Sequence, residues 1–304
     1  MKPLTTALSA ALLLGSGALA LRPAWAAPSP AGAQPDAHSH AEDGQNQGEE
    51  VTPGCQKIYN AITTVQGATL YDKLGKAMTD GSTLHKGLPL RQWGSIVDRN
   101  GIVCAVVTSG GPGNTDPNAQ WLGSRVIAAQ KANTVNDFST NTLALSTANL
   151  YAATQPGGSL YGLQFSNPVS TVAAYGDNSN CNRVGCDDTG APRYGQRDDP
   201  LVGHYVGGVN VFGGGLALYD SSGRLIGGLG TSGNTSCADH YISWVVRHVL
   251  GLDYVPTAIT GRDDNIIFPS GAGASPTGFE QPLCGIDPDE VNYPTELEHG
   301  YMPR

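Results

Sequence analysis

The chain has 304 residues, with 17 Lys and Arg against 26 Asp and Glu, and a formal net charge of −9. A protein that neutralises phosphates needs a basic face, and this balance supplies none overall, so nucleic acid is not the expected partner. The acidity reads as solubility.

The first residues read as an export signal. Lys2 gives a small positive start, Leu4 to Leu21 is apolar, and Ala24, Trp25, Ala26 and Ala27 offer a small-residue cleavage site. The run is short for a membrane span, and small residues follow it directly. The expectation is a cleaved signal over 1–27 and a mature chain in the periplasm or outside the cell. No other segment is long and apolar enough to cross a bilayer.

The 6 cysteines fit that compartment and read as three disulfides. Several connectivities are open. Cys181 with Cys186, Cys237 with Cys284 and Cys55 with Cys104 are the expected pairs. There is no Cys-x-x-Cys pair and no Cys-x-x-Cys-His, the motif for covalent haem attachment.

Residues 28–54 are rich in Ala, Pro, Gly, Gln, Asp and Glu and read as a disordered tether. It carries His38 and His40 beside Glu42 and Asp43, a cluster that either scavenges a metal ion or is simply solvated. The folded part, 55–304, opens with Ile58, Ile62 and Val65, then Leu70, Leu74 and Met78, at helical spacing. Trp93 to Val97 alternates as a strand. Asp98-Arg99-Asn100-Gly101 carries the Asn-Gly turn signal, and Ile102 to Thr108 returns as a second strand.

A Gly/Pro/Asn loop from Gly110 to Asn118 leads to a helix with Leu122, Val126 and Ala129 on one face. A further helical pattern runs from Thr140 to Tyr151. From Gln155 to Gly208 the chain is poor in apolar residues and reads as a long loop stapled at Cys181 and Cys186. A second hairpin joins Leu216–Tyr219 to Leu225–Leu229. The last helix expected runs from Cys237 to Leu250, with an apolar stripe at Ala238, Ile242, Val245, Val246 and Val249 and Gly251 as its terminator. Beyond Asp253 the chain reads as a Pro-rich extension, 254–304. The order predicts an α+β fold: a single antiparallel sheet covered by helices, with a long insertion.

Gly228-Leu229-Gly230-Thr231-Ser232-Gly233 is G-x-G-x-x-G between a strand and a helix. It mimics a dinucleotide fingerprint, but its strand belongs to a tight hairpin and no second parallel strand follows. The alternative is an anion site, where backbone N–H groups and the helix dipole meet a carboxylate. Ser236-Cys237-Ala238-Asp239 is a capping-box variant, so Asp239 is either a helix cap or a catalytic acid–base group. His240 is either a haem iron ligand, a general base, or a hydrogen-bonded structural histidine. His204, His85 and His248 are further ligand candidates. Met78 and Met302 are the few methionines available. Hydrolase and zincin motifs are absent.

Several runs resemble one family. Ile96-Val97-Asp98-Arg99-Asn100-Gly101 resembles its first hairpin. Ala128-Ala129-Gln130-Lys131-Ala132-Asn133-Thr134 is similar to its helix motif Ala-x-x-Lys-Ala-x-Thr. Gly214-Gly215-Leu216-Ala217-Leu218 resembles its Gly-Gly-Val-Pro-Ile strand, and Leu225 to Gly233 its following strand and turn. Asp239 falls where the family keeps an aspartate.

The family is the GlcG/HbpS-like haem-binding, or haem-degrading, domain family, related to the PduO C-terminal domain. The resemblance spans about 70–252. It implies a profilin-like domain, non-covalent haem, and a homo-oligomer. On that reading His204 and His240 are the iron-ligand candidates. Lys131, Thr134, Gly230 and Gly233 would lie near the propionates. The insertion about 171–207, the six cysteines and the tail depart from the family pattern. Two other functions stay open. One is an enzyme on a small carboxylic acid bound at Gly228–Gly233, with His240 or Asp239 as acid–base. The other is a docking partner of an exported or membrane complex.

Overall fold

In the computed structural model the described residues are 51–110, 120–175, 193–256, 264–269 and 277–304. The chain divides into two units, Met1–Gly44 and Gln45–Arg304, and every described residue lies in the second. The expected signal segment, the histidines of the tether, and Cys181 with Cys186 lie outside the described residues.

The elements are α1 (Pro53–Ala61), α2 (Leu70–Ser82), β1 (Trp93–Asp98), β2 (Val103–Thr108) and α3 (Gly123–Phe138). Three short helices follow: α4 (Tyr151–Thr154), α5 (Leu163–Ser166) and α6 (Thr171–Tyr175). Then come β3 (Gly215–Tyr219), β4 (Leu225–Ser232), α7 (Ser236–Leu250) and α8 (Tyr293–Gly300). The four strands make one sheet in the order β2-β1-β4-β3. All its pairings are antiparallel. The α+β class read from the sequence is therefore the fold, and β4 has no parallel neighbour to support a dinucleotide reading.

Alternation along the strands sends side chains to two different covers. Ile96, Leu218, Ile226 and Leu229 pack with Ile58, Leu74, Met78, Ile242 and Val246 of α1, α2 and α7. Trp93, Val97, Val103 and Val106 pack with Val126, Ala128, Ala129 and Ala132 of α3. On this second face β4 offers almost no side chain. A Cβ on Gly230 would run into the Ala128 carbonyl oxygen, and one on Gly228 into that of Ala132. Glycine here lets the helix backbone lie directly on the strand.

Both outer strands are partly capped by loop backbone. Val103 N–H donates to the His204 carbonyl, and Gly203 N–H to that of Val103. On the far side Tyr219 N–H donates to the Leu252 carbonyl. Two disulfides fasten the periphery, Cys55–Cys104 and Cys237–Cys284, as expected.

Four expectations need correction. The tether was read through 54, but α1 starts at Pro53, capped by the Thr52 side chain. No helix spans Thr140–Tyr151. Ser139 Oγ accepts from Leu145 N–H and donates to its carbonyl, and Thr140 Oγ1 accepts from Leu143 N–H. These side chains divert the backbone into turns. The extension 254–304 is not all loop, since α8 docks Leu297 and Tyr293 beside Tyr241 and Trp244. Finally, α7 is capped one residue earlier than read: Thr235, not Ser236, accepts from Ala238 N–H.

Candidate functional site

Most of the sequence-selected residues meet in a dry knot where α3, β4 and α7 cross. Lys131 Nζ lies 2.8 Å from Asp239 Oδ2 and donates to the Thr231 carbonyl at 3.0 Å. Its ammonium also stands 4.7 Å from the centre of the Phe212 ring. Asp239 Oδ1 accepts from Asn234 N–H. Lys131 is 0% exposed and Asp239 1%. Burial pushes the Lys131 ammonium below its ordinary value, opposed by Asp239. Burial likewise raises the Asp239 carboxyl to about 6, opposed by Lys131.

This arrangement answers the anion-site expectation from inside. The carboxylate that meets the start of α7 is the chain's own Asp239, and the cation expected to hold a propionate is spent on it. Thr134 is committed too, donating to the Gln130 carbonyl and accepting from Asn210 N–H. Gly230 lies under α3. Gly233, at φ +127°, turns the chain from β4 towards α7. None of the four stands open to a propionate.

His240 is wholly buried. Its Nε2 accepts from Ile266 N–H at 3.0 Å, while Nδ1 has no hydrogen-bond partner. Desolvation holds the imidazole neutral, lowering its pKa to about 3. As folded, His240 and Asp239 reach no solvent, so neither stands as an acid–base group at an open site. His204 is exposed, and its backbone caps β2. His248 Nδ1 pairs with Asp253 Oδ2 at 2.7 Å.

An open cavity lies elsewhere among the described residues. It has a volume of about 410 Å³ and forms between the end of α2, residues 85–92 and the start of α7. His85, Lys86 and Arg91 line it together with Leu88, Leu90 and Ile242, and no lining residue is acidic. His85 is exposed and sits at φ +51°, the one non-glycine with positive φ among the described residues. Such backbone persists where surroundings hold it, often at binding sites. Lys86 Nζ pairs with Glu296 Oε2 of α8 at 2.8 Å and lies against the Tyr241 and Tyr293 rings. Asn234 closes one wall, accepting from Leu88 N–H and donating to the Leu88 carbonyl.

Gln92 also borders this cavity. It is 1% exposed, and both Nε2 and Oε1 lack hydrogen-bond partners. A buried amide left so costs about 1–3 kcal/mol. Nothing in the local pattern marks this residue. Leu88-Pro89-Leu90-Arg91-Gln92 reads as an ordinary loop, and only the fold shows that the amide is enclosed.

The molecule is thus a four-stranded antiparallel α+β domain with a basic, partly apolar cavity beside the sheet. Residues 115–244, from before α3 into α7, match the family described as "Haem degrading protein HbpS-like". Most of the cavity wall, residues 82–92, lies outside the matched span. Among solved structures, the chain is similar to a PduOC–haem complex at 24% identity. That match covers 58% of this chain and 88% of the other, with a TM-score of 0.36. It is also similar to the Klebsiella pneumoniae protein ORFY at 18% identity, covering 69% and 94%, with a TM-score of 0.37. No curated protein matches the chain.

Proposed function

We propose that this chain is an exported haem-binding protein that holds haem non-covalently, for storage, transport or sensing. The observation that carries the reading is the HbpS-like match over residues 115–244. The cavity beside residues 85–92 fits the group chemically. It offers an exposed imidazole at His85, apolar walls at Leu88, Leu90 and Ile242, and cations at Lys86 and Arg91. Haem would supply an iron centre there.

His85 would be the iron ligand, a role that the burial of His240 and its bond from Ile266 N–H argue against for that residue. Lys86 and Arg91 would neutralise the carboxylates, and the aliphatic wall would exclude water from the ring. Export rests on the Lys2–Ala27 pattern and agrees with the two disulfides. Self-association is part of the proposal, since Tyr161, Phe165, Val172 and Tyr175 stand exposed.

The test is a visible-absorption titration of the purified chain with haemin, repeated on His85→Ala and His204→Ala. A saturable, shifted Soret band is expected. His85→Ala should weaken it by at least ~10-fold, as for loss of a strong charge-free ligand bond, and His204→Ala should leave it unchanged. A wild-type chain giving no saturable shift would sink the haem reading. Loss confined to His204→Ala would move the ligand to the β2 edge.

A further inference from the structure

We infer that Cys237–Cys284 is a thiol-exchangeable latch, whose opening releases the C-terminal tail from the wall of the cavity. The inference does not depend on which ligand the cavity takes.

The two disulfides differ in what must move before a thiol can reach them. Cys55 and Cys104 are 0% and 5% exposed, and both belong to the aliphatic cluster under α1, α2 and α7. Reaching that bond means opening the core. Cys237 is equally buried, but Cys284 is half-buried in a surface loop whose neighbours Pro282, Leu283, Gly285 and Ile286 are all exposed. The loop backbone is tied by Glu290, whose carboxylate accepts from Cys284 N–H and Gly285 N–H, each at 2.7 Å. A local opening of a few residues therefore frees one bond, and only a much larger one frees the other.

The exchange is ordinary thiol chemistry. A thiolate attacks the Cys284 sulfur, the S–S bond breaks, and the electron pair leaves on Cys237. The Gln281 amide donates to the Cys237 sulfur at 3.5 Å, and Cys237 stands in the first turn of α7, so the departing charge meets donors. With a small dithiol as reductant, its second sulfur attacks its first and releases Cys284. Cys284 Sγ in turn accepts from Cys237 N–H at 3.1 Å and lies 3.3 Å from Ser236 Oγ. The reagent leaves as a cyclic disulfide, and its two protons pass to the two cysteines. The Glu290 carboxylate, within 4.8 Å of both sulfurs, opposes negative charge on either and weights the equilibrium towards the closed bond.

Among the described residues this bond is the one covalent cross-link between residues 277–304 and the body. The tail braces the cavity wall from outside. Glu296 holds Lys86 at 2.8 Å, Asp287 accepts from Gly87 N–H, and Tyr293 packs edge-on to Tyr241. Lys86 and Gly87 both line the cavity. Opening the bond leaves the brace to non-covalent contacts, and the wall loosens with it.

The experiment exposes the folded full chain to graded dithiothreitol without denaturant, traps free thiols by alkylation and assigns them by peptide mass spectrometry. Cys237 and Cys284 are expected to be labelled at least ~10-fold faster than Cys55 and Cys104. Backbone hydrogen exchange is then compared between the oxidised and the selectively reduced chain. It should quicken at least ~10-fold across 285–300 and also rise at 86–91, with 93–108 unchanged. Cys284→Ser should show the reduced pattern without reductant. Should that variant fail to fold, reduced against oxidised wild type decides alone. Reduction of Cys55–Cys104 at an equal or faster rate, or opening of Cys237–Cys284 only where the whole chain unfolds, overturns the latch. So does selective reduction that leaves exchange at 86–91 as before, whether or not the tail quickens.

Discussion

The two faces of the sheet are held by different physics. Under α1, α2 and α7 the contact is chiefly aliphatic volume, with Ile58, Leu74, Met78, Ile96 and Leu229 interlocking and the buried Arg247–Asp264 pair bonded to β3. Under α3 the contact is close backbone approach over Gly228 and Gly230, with buried charge near the start of the helix and at its middle. Arg125 pairs with Asp199 there, and Lys131 with Asp239. Volume tolerates small changes, because neighbours relax into the gap. Backbone contact and buried charge do not, because each depends on one partner at one distance.

The largest expected break follows from the backbone contact. Gly230→Ala puts a methyl group into the Ala128 carbonyl, which only a shift of the whole helix can relieve. A loss of more than about 4 kcal/mol is expected in urea unfolding, an exceptional cost for one methyl group. A near-neutral result would mean that α3 rides loosely on the sheet.

A second comparison sharpens the contrast. Asp239→Ala strands the Lys131 ammonium in a dry site and should cost about 3–5 kcal/mol. Leu74→Ala on the other face should cost about 2–5 kcal/mol through transfer and cavity terms. The two differ in rescue. Adding Lys131→Met to Asp239→Ala should recover most of the loss, whereas no single partner change should rescue Leu74→Ala. Equal non-additivity at both sites would erase the distinction.

The smallest effect is pH-dependent and belongs to His240. Its folded pKa, about 3, lies below the unfolded value of 6.5, so the unfolded chain takes the proton first as pH falls. Its contribution is full above about pH 6.5 and is lost as pH falls towards 3. Denaturation midpoints measured from pH 7 to pH 4 should fall less steeply in His240→Asn than in wild type. Parallel slopes would show that His240 titrates alike in both states.

Much of the frame was legible. The Asn100-Gly101 turn, the alternation in β1 and β2, and the stripe of α7 each carry a local period that needs no tertiary information. The misses share a cause. Thr140–Tyr151 has helical spacing, but the side chains of Ser139, Thr140 and Ser146 accept from nearby backbone N–H groups. The helix α8 was hidden because Tyr293-Pro294-Thr295-Glu296-Leu297 has too few apolar residues to show a stripe, and its burial comes from Tyr241 and Trp244. For the site, the sequence named residue types but not exposure. Lys131 and Asp239 pair with each other in the dry interior, and His240 is buried beside them as a neutral imidazole. Gln92, an unremarkable residue in the sequence, is among the buried polar groups left unsatisfied.

The two disulfides have a consequence in time. Cys55–Cys104 closes a separation of 49 residues and Cys237–Cys284 one of 47, and the two loops do not interleave. A chain emerging from its N-terminus presents Cys104 to Cys55 long before Cys237 exists as a competitor. The first bond needs only α1 and the β1–β2 hairpin, and the second forms only after α7 and the tail are made. Order of synthesis and order of pairing therefore coincide, so these two bonds can be made correctly in sequence, without reshuffling between the two ends of the fold.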